Sequence, residues 1–376
     1  MPNNSTSPTN NTDLLIYGAN GYTGQLIVEQ AVQQGLKPIL GGRSHEKLVP
    51  IAAKYGLKIL VADLKQREAV NDMVLAADVL INCAGPVINT FEPLIEACMK
   101  NGCHYLDITG EIAVFEKIAT YDYLLERAGI VAIPGMGFDV VPTDCLAVYL
   151  KNKLPSATHL NLGVMGFGGG FSQGTVNTAL MSLGYGSVVR RNNQLLTVPH
   201  TDYLREINFE GKRPRLAVSV PLADVSSAWY STDIPNITTF LGINNTLLRM
   251  FKLADGAKWL VRRKFIKNII TSMTQKIYGI GPNEKNRQRG NSLAWGEVTD
   301  ENGNLVSVRL ILPETYTLTA LTAIAGAKKL LNKTDNSGQN LKGFFTPAQA
   351  FGPNFILEIP NTIREDLTQS IQIKVG

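Results

Sequence analysis

A run of apolar residues, Leu14–Tyr17, leads straight into Gly18-Ala19-Asn20-Gly21-Tyr22-Thr23-Gly24, and that turn opens a segment without a helix breaker until Gly35. Strand, glycine turn and helix in this order constrain the fold more than any other feature of the chain. The glycines let the backbone bend tightly and approach a ligand closely, and the start of the helix leaves N–H donors unpaired and facing an anion. The spacing is G-x-x-G-x-x-G, not the G-x-G-x-x-G of the usual dinucleotide fingerprint, so position between strand and helix carries the reading. The bland alternative is a glycine-rich turn that binds nothing.

From Leu14 to about Leu150, short apolar runs alternate with segments of helical period, the rhythm of successive βαβ units on a parallel sheet. Strands are expected at Leu14–Tyr17, Pro38–Leu40, Lys58–Val61, Val79–Asn82, His104–Leu106 and Ile130–Ile133, with helices such as Gly24–Gln34 and Phe91–Asn101 between them. Six strands fit a doubly wound Rossmann sheet. The chain has 376 residues, enough for two domains. Beyond Pro155 the pattern shifts to alternating strands with polar turns: a strand at Leu160–Met165, a hairpin of Leu293–Thr299 and Leu305–Leu312 through Asn302-Gly303, then a helix from Tyr316 to Leu331. The expected division is a Rossmann domain at 1–150 with a disordered tail at 1–13, a second α/β substrate domain at 151–332, and a C-terminal segment at 333–376 packing back on both.

Residues for a cofactor follow from the sheet edge. Besides Gly18, Asn20, Gly21, Tyr22, Thr23 and Gly24 in the turn, the second strand ends Gly41-Gly42-Arg43-Ser44, without the carboxylate that would hold a ribose 2′-hydroxyl. Arg43 offers a permanently charged fork to a 2′-phosphate and Ser44 a hydroxyl, the chemistry that NADP requires; Arg43 as a solvated surface residue is the alternative. Asp63 closes the third strand, as an adenine contact or a turn former. Asn82-Cys83-Ala84-Gly85-Pro86 places small residues at the C-terminal edge of the fourth, so Asn82, Ala84, Gly85 and Pro86 are expected along the cofactor.

With these blocks in view, the sequence resembles the saccharopine dehydrogenase-like oxidoreductases, particularly the bacterial branch that includes trans-acting enoyl reductases. The likeness rests on Tyr17–Gly24, Asn82–Pro86, Tyr105-Leu106-Asp107-Ile108-Thr109-Gly110-Glu111 and Gly137-Phe138-Asp139-Val140-Val141-Pro142. It continues more loosely through Gly168–Thr175, Gly281-Pro282 with Arg287, Trp295-Gly296-Glu297 and Thr315-Tyr316-Thr317. The resemblance implies a Rossmann domain, NADP-type binding and a second domain closing over the cofactor; it does not carry a substrate across. Hydride transfer to or from an imine, a carbonyl or an enoyl double bond suits it. Tyr105, Asp107, Glu111 and Asp139 converge on the same sheet edge and are the candidates for proton transfer, with helix capping or loop bracing as the alternative role.

Other classes compete weakly. The four cysteines and four histidines show no metal-ligand spacing, no apolar run reaches a membrane span, and a net charge of +5 without a basic arm disfavours nucleic acid. With no secretory signal in the first residues, a cytoplasmic location is expected. Tyr149 and Lys153 share the Tyr-x-x-x-Lys spacing of short-chain dehydrogenases, at a frequency chance accounts for. The stretch Thr246–Ile277 is strongly basic and carries an apolar stripe, Ile266, Ile269, Ile270, Met273 and Ile277. It reads either as a surface helix on the core or as a helix on an anionic membrane or acyl substrate. A regulator or scaffold that binds NADP without chemistry is the remaining alternative.

Overall fold

The computed structural model describes residues 13–167, 185–210, 213–256, 281–332 and 341–370. The tail before Asp13, the Gly168–Thr175 loop with Ser172 and Thr175, most of the basic stretch and the loop after Asn332 lie outside the described residues.

Apolar runs without alternation suit strands covered on both faces, and they form a parallel sheet. Strands β1 (Leu14–Tyr17), β2 (Ile39–Gly42), β3 (Ile59–Val61), β4 (Val79–Asn82), β5 (His104–Asp107) and β6 (Val131–Ile133) lie in the order β3-β2-β1-β4-β5-β6, a Rossmann sheet. Helices α1 (Tyr22–Gln33), α2 (His45–Tyr55), α3 (Arg67–Val74), α4 (Phe91–Asn101), α5 (Ile112–Ala119) and α6 (Asp122–Ala128) fill the crossovers. The alternation of side chains along β1 divides the core. Leu14 and Ile16 pack with Ile27, Val28 and Ala31 of α1, while Leu15 and Tyr17 pack with Val70, Met73, Leu94 and Ile95 of α3 and α4. Each such fully buried aliphatic side chain contributes about 1.5–3 kcal/mol over leaving it exposed.

The second layer begins with α7 (Val141–Lys153), followed by β7 (His159–Phe167), β8 (Ser187–Arg191), β9 (Gln194–Val198), β10 (Leu204–Ile207), β11 (Arg215–Ser219), α8 (Asp224–Thr232), β12 (Asn236–Gly242), α9 (Asn245–Gly256), α10 (Glu284–Arg289), β13 (Asn291–Thr299), β14 (Leu305–Pro313) and α11 (Thr315–Leu331). The chain closes with β15 (Gly343–Phe344), α12 (Pro347–Phe351) and β16 (Ile363–Ser370). Its sheet runs β10-β11-β12-β7-β13-β14-β16, with β8 paired to β12 and β9 to β8. The β7–β12 pair is parallel and the other neighbours antiparallel, so the sheet is mixed. The expected hairpin is β13–β14. Its turn is fixed by Asp300, whose Oδ1 accepts from the N–H groups of Asn302 and Asn304, both at 2.9 Å, while Gly303 takes a φ of +79°. Hydrogen bonds from Asn304 and Ser156 hold the Asp300 carboxyl down at about 2.

Two helices cross the expected division of the chain. α7 packs on β13 and β14 of the second sheet, so the layer changes near residue 140, before Leu150. α11 leaves β14 and lies against α1, β4 and β5 of the Rossmann domain, because its Leu318, Ala323 and Ile324 complete the core over Ile16 and Ile81. In the C-terminal segment, β15 adds a seventh strand beside β6, and β16 pairs with β14. Glu116 of α5 adds a polar tie, meeting Arg190 of β8 at 3.0 Å and Ser226 of α8 at 2.6 Å.

Tyr149 and Lys153 sit in the C-terminal half of α7 and both bind Asp366 of β16, at 3.3 and 2.6 Å. That engagement on the second sheet takes them away from the glycine turn and removes the short-chain dehydrogenase pairing.

Candidate cofactor and active site

The glycine turn is shaped by its contacts. Gly18 donates to Gly41 O at 2.9 Å and takes a φ of +82°, and a Cβ there would lie 2.7 Å from Ala84 N. A Cβ on Gly24 would collide with the carbonyl of Gly18 and come within 3.0 Å of Ala19 Cα, so α1 approaches the turn as closely as only glycine allows. Gly21 caps α1 without a side-chain hydrogen bond, which leaves the first-turn N–H groups, from Tyr22 and Thr23 onward, outside the helical ladder. Nothing but the Gly18 carbonyl, at 3.3 Å, approaches the Cβ direction of Gly21. A diphosphate would fit this cradle: among the described residues the first-turn donors have no partner, and one glycine face is open.

Across the loop, the Asn20 Oδ1 atom lies near Gly42, at the end of β2. Arg43 is exposed there and, among the described residues, has no carboxylate at salt-bridge distance. Ser44 caps α2 in position, but its hydroxyl makes no capping bond. Asp63 accepts from Lys65 N at 3.0 Å, as a turn former does, and its charge reaches Tyr17.

The β4 edge is built by Asn82. Its Oδ1 accepts from Ala84 N at 3.0 Å, and its Nδ2 donates to Thr90 Oγ1 at 3.0 Å and Tyr105 OH at 3.2 Å. Asn82 is fully buried and shapes the loop through Ala84, Gly85 and Pro86, whose Gly85–Pro86 bond is cis.

The four proton-transfer candidates are brought to one edge, in different states. Tyr105 is fully buried and donates to Asp107 Oδ2 at 3.0 Å; Asp107 Oδ1 accepts from Thr109 N and Gly135 N, both at 2.9 Å. Burial pushes Asp107 up to about 6 against these bonds. Glu111 accepts from Val87 N at 2.7 Å, and burial raises its carboxyl. These three brace the loops after β4, β5 and β6. Asp139 differs: it opens to solvent, accepts no hydrogen bond among the described residues, and crowds Gly110, where a Cβ would sit 2.8 Å from Oδ2. The surrounding protein desolvates its carboxyl and pushes it up to about 6, although water still reaches it. Thr319 of α11 fixes the preceding loop by accepting from Phe138 N at 3.1 Å.

Sequence reasoning passed over Asp224, at the first position of α8. It is fully buried, and neither carboxyl oxygen has a hydrogen-bond partner among the described residues; burial, with Asp144 and Asp139 nearby, holds it well above the usual carboxylate range. A single acidic residue beside an alanine carries no pattern that marks it. Two open cavities, of about 500 and 820 Å³, lie along the second sheet, lined for instance by Phe209, Leu293 and Arg309 or by Arg205, Trp295 and Glu297. Neither lining includes the glycine turn or Asp139, so the polar chemistry rather than cavity size marks the site.

Residues 14–133 match the family model described as the saccharopine dehydrogenase NADP binding domain. The N-terminal domain is thus similar to that NADP binding domain. The chain is similar to the human saccharopine dehydrogenase-like oxidoreductase, 31% identical over 161 residues that cover 38% of each chain. It is 30% identical over 192 residues to a Caenorhabditis elegans protein named for lipid droplet localization, covering 46% of this chain and 45% of that one. A Mycobacterium tuberculosis protein named as a trans-acting enoyl reductase is 31% identical over 182 residues, covering 45% and 43%. The matched stretches thus span less than half the length of these relatives. Over nearly the whole chain, the fold is similar to apo saccharopine dehydrogenase (L-Glu forming) from Saccharomyces cerevisiae: TM-score 0.64 at 9% identity, covering 95% of this chain and 100% of that one. The saccharopine dehydrogenase-like fold therefore extends past the NADP-binding domain into the mixed sheet.

Proposed function

We propose that the protein is an NADP(H)-dependent oxidoreductase acting on an imine, a carbonyl or an enoyl double bond. The observation that supports this reading is an Arg43 at the end of β2 that has no carboxylate partner among the described residues, one strand away from a glycine-lined anion cradle. Gly18, Gly21, Gly24 and the first-turn N–H groups of α1 hold the diphosphate; Arg43 and Ser44 hold the 2′-phosphate. The bound cofactor supplies or accepts a hydride. Asp139, solvent-reached and poised near 6, holds or receives the accompanying proton at its carboxyl. Tyr105, Asp107 and Glu111 keep the loops that form this cleft in place.

Arg43→Ala tests the reading. Calorimetry should show NADPH affinity falling about tenfold to a hundredfold, the size of a lost charge-assisted hydrogen bond, with NADH unchanged. Equal losses for both would remove the assignment. A catalytically silent NADP-binding scaffold is distinguished by a panel of imines, carbonyls and enoyl compounds, none of which would consume NADPH although binding stayed normal.

A lipid-surface setting and an acyl-type substrate are supported by the basic stripe in Thr246–Ile277 and by the name of the nematode relative. No helix among the described residues is long and apolar enough to cross a membrane. Vesicles containing anionic lipid should sediment the protein at low salt and release it above about 0.5 M, where the Debye length is only a few ångströms. Absence of sedimentation ends this part of the reading.

A further inference from the structure

Among the described residues, the second domain reaches back to the start of α1 through Tyr22. Tyr22, the first residue of α1, donates its hydroxyl to Pro282 O at 2.6 Å, and its ring packs edge-on against Tyr316 with centroids 5.0 Å apart. Gly281 lies flat on that ring: a Cβ there would come within 2.6 Å of it. Arg287 of α10 then donates through Nη1 to Tyr22 OH at 3.3 Å and to Pro282 O at 3.1 Å. It is half-buried, and among the described residues no carboxylate lies at salt-bridge distance from it. A half-buried guanidinium with no counter-ion among the described residues, its Nε and Nη2 hydrogens outside these bonds, thus touches the hydroxyl end of Tyr22, the first residue of the helix that the glycine turn opens.

We propose that Arg287 is a ligand of the cofactor diphosphate supplied by the second domain, with Tyr22 and Pro282 fixing its position. This rests on the NADP(H) reading and deepens it. The second domain then recognises the cofactor through its shared diphosphate, while Arg43 of the first domain selects the phosphorylated ribose.

Calorimetry with three ligands separates these roles: NADPH, ADP-ribose (diphosphate without 2′-phosphate) and 2′-AMP (2′-phosphate without diphosphate). Arg287→Ala should weaken NADPH and ADP-ribose about tenfold to a hundredfold and leave 2′-AMP within about twofold, which also shows the Rossmann domain folded. Arg287→Lys, which keeps the charge but loses the fork, should recover part of the loss. Unchanged ADP-ribose and NADPH affinity in Arg287→Ala overturns the inference while the cofactor reading stands, and so does an equal loss for 2′-AMP. An unaltered protein that binds none of the three ligands overturns both.

Discussion

Alanine at Gly18 is expected to destabilise the protein by about 2–5 kcal/mol and to remove NADPH binding. A left-handed backbone costs a Cβ-bearing residue about 1–2 kcal/mol, and the contact with Ala84 N adds an overpacking cost of about 1–3 kcal/mol. Gly24→Ala acts through the second of these alone, forcing α1 off the turn. Gly21→Ala should behave differently. Among the described residues its Cβ meets only the Gly18 carbonyl at 3.3 Å and otherwise points where the proposed diphosphate would lie, so the melting temperature should change little while NADPH affinity falls at least tenfold. Thermal melts and calorimetry on the three variants check this series. If Gly21→Ala bound NADPH as tightly as the parent, the cradle would not be the diphosphate site.

Asp139→Asn should lower kcat by about a hundredfold to ten-thousandfold with any compound that consumes NADPH, at unchanged NADPH affinity, because the amide keeps the shape and loses the transferable proton. The pH profile gives an independent check. A carboxyl raised to about 6 is protonated below that value, so reductive turnover should be flat at low pH and fall about tenfold per unit above it. In the oxidising direction the limb reverses. Stability follows the same group with a definite sign: its folded pKa exceeds the unfolded value near 3.9, so the folded state binds more proton between about pH 4 and 6, and stability declines as pH rises through that window. Asp107, also raised to about 6, adds to that slope, while the solvent access of Asp139 keeps its own share small. Asp139→Asn should abolish the kinetic inflection and leave the part of the stability slope that belongs to Asp107. A variant with parental kcat and an unmoved pH profile would show that the proton comes from elsewhere.

Much of the candidate site was legible because the chemistry proposed for it is local. Gly18, Gly21 and Gly24 act through their own backbone, and the missing carboxylate at Arg43 is a feature of one strand end. The proton-transfer candidates were not separable in the same way. Tyr105, Asp107, Glu111 and Asp139 all sit where strands end, but only the bonds between Asn82, Tyr105 and Asp107 and those from Thr109, Gly135 and Val87 show that three are engaged, while Asp139 accepts none among the described residues. Asp224 left no usable trace, and Arg287 showed only as part of a loose family likeness: the unpartnered state of one and the reach of the other to Tyr22, 265 positions away in sequence, exist only once distant elements have packed.

The same division holds for the fold. The sequence by itself determined the six-strand parallel sheet, the β13–β14 hairpin and the glycine cradle, because unbroken apolar runs, alternation, turn residues and missing Cβ atoms act within a few neighbouring positions. Tertiary structure alone decided that α7 serves the second sheet, that α11 serves the first, and that β15 and β16 rejoin different layers. A helix shows by its period that it has an apolar face, but which surface covers that face is settled by the area left open elsewhere in the molecule.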